Sequence, residues 1–259
     1  MRKKVLIGIA LAGLVLFLSG CTSINEPITS ESTGFWSKYF VYPLSLTITY
    51  FAKLLGNSYG LGIIVVTVII RLILLPLNIK QLKSSVAMQQ IQPELKKLQT
   101  KYSSKDANTQ RKLQEETMAL FEKHKVNPLS GCLPILVQMP VLIAIYQAIM
   151  RTSAIKEQSF LWFQLGSPDP YFILAVVAAA LTFIQQKVMM AGNGEMQNPQ
   201  MTAMLYMMPI MIGVFAIFLP SALPLYWIVG NVFMIAQTLL IRQPMMKKEA
   251  KASTGGGKK

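Results

Sequence analysis

One stretch of the 259-residue chain places chemistry inside hydrocarbon. Residues 65–77 read VVTVIIRLILLPL, with a single guanidinium, Arg71, in the middle. A guanidinium stays charged at any ordinary pH and presents five N–H donors. At the centre of a spanning helix an arginine costs about 2.5–3.5 kcal/mol on insertion scales, so it should face a bundle interior or water. The usual partner is a carboxylate, yet none of the apolar segments contains Asp or Glu. Escape to the interface is hard, because the next basic residue, Lys80, stands about 13 Å of helix rise away. Two readings remain: an anion or transport pathway, and a hydrated pocket that meets something carrying its own negative charge.

Other polar side chains could line such a pocket. Thr67 precedes Arg71 by four residues and shares its helix face. Gln138 and Gln147 lie in a second apolar segment, Gln185 and Gln186 at the end of a third, and Tyr226, Trp227, Asn231 and Gln237 in the last. A single intramembrane glutamine usually glues helices together. Several of them around an arginine without an internal carboxylate point to a wet cavity open at one end. Hydrolytic chemistry finds no support. The only histidine, His124, sits in a charged region, no intramembrane carboxylate pair exists, and no phosphate-binding glycine loop occurs. Cys21 and Cys132 fall at opposite faces of the predicted topology and lack metal spacing, so neither a disulfide, a metal nor a cofactor is expected.

The elements that hold these residues follow from composition. Hydrophobic residues make up 53% of the chain, charged residues only 14%, and mean hydropathy is +0.44. That is a multi-span membrane protein, since soluble domains are about one quarter charged. The net charge of +14 fits cytoplasmic loops that hold topology better than recognition of a nucleic-acid sequence. A basic tail could still touch phosphates of lipid or RNA. Residues 1–20 read as a signal peptide: Arg2, Lys3 and Lys4, then an apolar run, then Leu18-Ser19-Gly20-Cys21, which resembles a bacterial lipobox and implies acylation of Cys21. Residues 21–34 form an outer linker. Residues 35–58, rich in aromatics beside Lys38 and Lys53, predict an outer interfacial amphipathic helix. Spans are predicted at 60–79, 126–150, 171–187, 201–219 and 225–241, with Pro220 to Pro224 making the turn between the last two. Residues 80–125 carry ten basic and five acidic residues and predict a cytoplasmic two-helix hairpin, with Ser103 to Asn108 as its turn. Residues 151–170 form an outer loop whose Phe160-Leu161-Trp162-Phe163 is an expected interfacial anchor. Residues 188–200 form a short cytoplasmic loop, and 242–259 a basic cytoplasmic tail. Sixteen methionines, many between Met189 and Met211, suit either adaptable helix packing or a plastic surface for varied apolar clients.

Two stretches resemble a known family. Residues 127–140, NPLSGCLPILVQMP, look like the entry to the second conserved span of the YidC/Oxa/Alb membrane protein insertases. Residues 219–231, LPSALPLYWIVGN, look like that family's turn between its last two spans, and Thr67 and Arg71 match its first. The resemblance covers about residues 35–245, and the lipobox resembles the Gram-positive form. It implies an all-α bundle of five transmembrane helices around a hydrophilic groove, open to cytoplasm and lipid and closed outside. Arg71 would attract acidic residues of a client's extracytoplasmic segment, with Thr67, Gln138, Gln185 or Gln186, and Tyr226-Trp227 along the client path. Partners implied are nascent or targeted membrane-protein clients, with the Sec translocon and ribosome as candidates. One groove per chain makes a monomer sufficient. The competing readings are a small anion channel and a purely structural assembly chaperone.

Overall fold

A computed structural model describes residues 26–104, 106–124, 126–127, 133–190 and 199–246. The expected signal peptide, Cys21, Cys132, most of the 188–200 loop and the tail from residue 247 lie outside the described residues. A π-helical turn, Ser37–Val41, leads into α1 (Tyr42–Leu54), and a short break precedes α2 (Tyr59–Gln90). Then come α3 (Gln92–Lys101), α4 (Ala107–Lys123), α5 (Leu133–Met150) and a single turn, α6 (Ser153–Lys156). A β-hairpin of β1 (Ser159–Phe160) and β2 (Phe163–Gln164) is followed by α7 (Ile173–Met190), α8 (Pro199–Phe218) and α9 (Ala222–Gln237), which ends in a second π-helical turn, Thr238–Arg242.

Among the described residues, three helical stretches are long and apolar enough to cross a bilayer: Tyr59–Met88, Ile173–Met190 and Ala222–Met246. Leu136–Met150 and Thr202–Phe218 are apolar and shorter. Large apolar side chains point outward along several of these helices, among them Ile73, Val176, Met207, Ile210 and Phe218. So broad an apolar exterior suits lipid and not water.

One end of the bundle holds a dense apolar core. Val41, Ile48 and Ala52 from the α1 region meet Ile63 and Val66 of α2, Ile145 and Ile149 of α5, Phe163 and Leu165 of the hairpin, and Leu223 and Tyr226 of α9. The β-hairpin covers that end. Phe160 occupies the space that a side chain at Gly60 would fill. The carbonyl of Ser167 accepts hydrogen bonds from the Ser221 amide (2.8 Å) and hydroxyl (2.7 Å), and the Leu165 carbonyl accepts from the Ala222 amide at 3.1 Å. Orphan donors at the start of α9 are thereby paired. The buried Arg151 binds the preceding segment, with Nε donating to the Glu26 carbonyl and Nη1 to the Ser37 hydroxyl, both at 2.9 Å. Asp169 accepts from the amides of Tyr171 and Leu174 and from the Trp162 indole.

Several boundaries differ from those read in the sequence. α2 does not stop at Lys80 but continues to Gln90, because nothing between them breaks a helix. Pro93, just inside α3, sets the break at Ile91. The last helix begins at Ala222, inside the expected turn: Pro224 sits in the first turn of α9, where its missing N–H costs nothing. Of the expected aromatic anchor, Leu161 and Trp162 are exposed at the hairpin tip, whereas Phe163 is buried and Phe160 packs on the core. Between α3 and α4, Asp106 caps the second helix by accepting from the Thr109 amide at 2.9 Å. Glu94 on α3 pairs with Lys123 (3.7 Å) and His124 (3.3 Å) at the far end of α4, so these two helices lie antiparallel.

Two tests follow from this packing. A Cβ at Gly62 would lie 2.8 Å from the Ile48 carbonyl oxygen, and backbone cannot swing aside. Gly62→Ala should therefore lower the melting temperature in detergent by about 3–10 °C. Gly213→Ala, whose new methyl meets the Ala179 methyl at 3.1 Å and the Ala175 carbonyl oxygen only at an ordinary 3.8 Å, should lower it less. Hydrogen bonds from the Ser104 hydroxyl and from Thr109 hold the Asp106 carboxyl well below the usual carboxylate range. The ionised cap is thus fully present at neutral pH and is lost only as pH falls below about 4. Protection of the amides in the first turn of α4, measured as exchange relative to the intrinsic rate at each pH, should fall in acid for the native chain, be low at all pH in Asp106→Ala, and stay pH-independent in Asp106→Asn.

Candidate functional site: the surroundings of Arg71

α2 carries Arg71 inward because its buried face is continuous. Ile63, Val66 and Thr67 are buried on that face, and Arg71 follows one turn later. The run of β-branched residues before it favours helix weakly on its own. In a bilayer, however, only a helix or closed barrel pairs every backbone group. Thr67 is 1% exposed and donates its hydroxyl to the Ile63 carbonyl at 2.6 Å. Its polarity is thus spent within its own helix.

Across from α2, α9 presents Tyr226 and Gly230, four residues apart on one face. The Arg71 guanidinium carbon lies 5.7 Å from the centre of the Tyr226 ring. A Cβ at Gly230 would approach an Arg71 terminal nitrogen to 2.5 Å. Glycine there gives the guanidinium its berth. Tyr226 is 1% exposed, and its hydroxyl accepts a 2.7 Å hydrogen bond from Gln138 Nε2 on α5. Helices α2, α5 and α9 thus place Arg71, Gln138 and Tyr226 together.

The electrostatics are one-sided. Among the described residues the ion pairs are Arg111–Glu115, Lys123–Glu94 and His124–Glu94, all in α3 and α4 or at their ends. Arg71 Nε is buried and has no hydrogen-bond partner there. A cation over an aromatic ring gains about 0.5–2 kcal/mol, which does not match a desolvated guanidinium's needs. The arrangement can hold an anion, or a polar group bearing acceptor oxygens, against Arg71.

Not every residue picked from the sequence converges here. Trp227 is half-buried against the apolar core, turned about 100° from Tyr226 and so off the Arg71 face. Gln185 and Gln186 are both half-buried on α7, one turn beyond Thr182. Thr182 accepts a 2.8 Å hydrogen bond from Asn231 Nδ2, which fixes α7 against α9 at the residue after Gly230. Gln185 and Gln186 flank that face on either side, farther from the β-hairpin end than Arg71. Gln147 is buried in α5. Sequence reasoning passed over Gly230, Asn78 and Gln81. The signal for Gly230 is a glycine four residues after a tyrosine in an otherwise bulky helix, and for Asn78 its spacing of seven from Arg71.

Comparisons with known proteins agree with one another. The family model described as 60Kd inner membrane protein matches residues 50–249. The membrane protein insertase MisCA of Bacillus subtilis is 61% identical over 259 residues, covering 100% of this chain and 99% of that protein. The membrane protein insertase YidC of Oceanobacillus iheyensis is 60% identical over 254 residues, covering 96% of this chain and all of that protein. A crystal structure described as an active YidC insertase with its first transmembrane domain resolved superposes with a TM-score of 0.63 at 26% identity. It covers 80% of this chain, which spans about half of that longer structure (47%). The chain belongs to the 60Kd inner membrane protein family, the family of the YidC membrane protein insertases.

Proposed function

We propose that this chain inserts membrane proteins by offering Arg71 as a transient partner to acidic residues of a client segment. The observation that carries the reading is a half-buried guanidinium, its Nε buried and without a hydrogen-bond partner, with no carboxylate paired to it among the described residues. A short polar segment entering the bundle exchanges water for that charge and for Gln138, Gln185 or Gln186. Its apolar span then leaves sideways past Tyr226 and Trp227 into lipid. Thr67 supports the wall next to Arg71 without spending a donor on the client. No ATPase or hydrolytic step is needed: charge attraction and burial of the client's span drive insertion.

The β-hairpin end is the outer face in this reading, and the α3–α4 arm is cytoplasmic. In this reading the chain crosses a bacterial plasma membrane five times, with a lipid anchor at Cys21 and a cytoplasmic basic tail. The positive charge of residues 80–125 and of the tail supports that orientation. In this reading the arm and tail receive clients from a ribosome or beside the Sec translocon, and one chain suffices for one groove. The packed core and the cover of the β-hairpin favour an insertase over an anion channel, which needs a polar path through both ends.

The decisive experiment reconstitutes the protein in liposomes with a short-tailed single-span client whose leading segment is acidic. Arg71→Ala should slow insertion about tenfold or more, a loss of about 1.4 kcal/mol or more in charge attraction. Arg71→Glu should be worse, and a client with a basic leading segment should reverse the order. Full insertion by both variants, or ion flux without insertion, would sink the reading. Gly230→Ala should keep its fold, since the crowded atom ends a flexible side chain, yet displace the guanidinium and slow the acidic client severalfold.

A further inference from the structure

Farther from the β-hairpin end than Arg71, buried amide atoms lack hydrogen-bond partners among the described residues. α2 and α9 both start at the β-hairpin end, Gly60 beneath Phe160 and Ala222 bonded to Leu165, so they run in the same direction. They meet at Arg71 and Gly230. Seven residues beyond each stand Asn78 and Gln237, about two turns on and on nearly the same faces. α2 still packs against the Thr238–Arg242 turn that follows. Gln237 is 3% exposed, and neither Nε2 nor Oε1 has a hydrogen-bond partner among the described residues. Asn78 Nδ2 is buried in the same state, as is Nε2 of Gln81, one turn farther along α2.

Native structures pair nearly all such groups, because an unpaired buried amide is costly. Here the imbalance has a sign. Arg71 Nε, Asn78 Nδ2, Gln81 Nε2 and Gln237 Nε2 are donors, and only Gln237 Oε1 is an acceptor. The missing complement is therefore rich in acceptor oxygen. An extended peptide supplies one carbonyl per residue and advances about 3.3–3.6 Å per residue. Two helical turns, about 11 Å, equal about three residues of such a chain. A segment with its carboxylate at Arg71 lays the carbonyls about three residues away at the level of Asn78 and Gln237.

We propose that Asn78, Gln81 and Gln237 form a second binding station of the groove, which takes backbone carbonyl oxygens of an extended client segment held at Arg71. The proposal rests on the insertase reading above. Neutral amides pair with peptide carbonyls whatever the client's side chains. The station acts on every client alike, whereas Arg71 discriminates by charge. It shelters backbone groups that have left water and have not yet folded into a helix, the condition that a bilayer penalises most.

The test uses the full-length chain in liposomes with Gln237→Met, Asn78→Leu and the pair together. Two clients are compared, one with an acidic leading segment and one with those acids changed to amides. Melting temperature in detergent is read beside insertion rate. The double variant should melt at or above the native temperature, because it removes unpaired buried amides. It should insert both clients about five- to tenfold more slowly, by the same factor. Arg71→Gln should slow only the acidic client. Native insertion rates in the double variant, with Arg71→Gln still selective, would overturn the station and leave the insertase reading standing. A lower melting temperature with insertion lost in proportion to folded protein would also overturn it, assigning the amides to structural water. Indifference to Arg71→Gln and to the double variant alike would reject the station together with the reading beneath it.

Discussion

A charge in a low-dielectric bundle without a fixed counter-charge is the constraint that organises this molecule. A desolvated guanidinium is tolerable only where its surroundings stay polar or where its partner comes and goes. Arg71 has the face of Tyr226 on one side and the space vacated by Gly230's missing side chain on another. Both contacts place the group and neither neutralises it. The Gln138 hydrogen bond to Tyr226 then fixes the ring, so the berth is tied to α5 as well as α9. Three helices are thus committed to holding one cation in a position it would not choose in isolation.

That commitment explains why the two ends of the bundle are built differently. Toward the β-hairpin Ile48, Ile63, Ile149, Phe163 and Leu223 pack with little access to water, and the buried polar groups there, Arg151, Asp169 and Ser221, are hydrogen-bonded. Backbone groups that would otherwise be open at the start of α9 are paired to the loop carrying the hairpin. Toward the other end, buried positions include Gln81, Thr182, Gln237 and Thr238. A bundle with one greasy end and one amide-rich end lets a polar group in from a single side.

How much of this can be read in the sequence depends on the range of the interaction. The all-helical class is legible in long apolar runs. The family is legible in the NPLSGCLP and LPSALPLYWIVGN stretches, and the role of Arg71 as an oddity needs only one window. The Asp106 cap follows from local turn chemistry. What stays hidden is which faces meet. Tyr226 and Trp227 are adjacent in sequence and differ by about 100° of helix, and only packing decides which of them reaches Arg71. Gly230 and Asn78 are anonymous until two helices are laid side by side. A change in charge does not mark a helix end. Lys80 marks a change of environment, but lysine is a good helix former, so the backbone runs on to Pro93.

The unbroken course of α2 has a mechanical consequence. From Tyr59 to Gln90 it is a single strut about 48 Å long, running from beneath the β-hairpin, past Arg71, to the base of the α3–α4 arm. Only the break at Ile91 separates the arm from the strut, so a push that crosses it travels along the strut as bending and twist. Pro76, five residues past Arg71, omits one rung of the backbone ladder and is the compliant point of the shaft. Load applied at the arm by anything docked there is therefore delivered, as torque about Pro76, within two turns of the guanidinium.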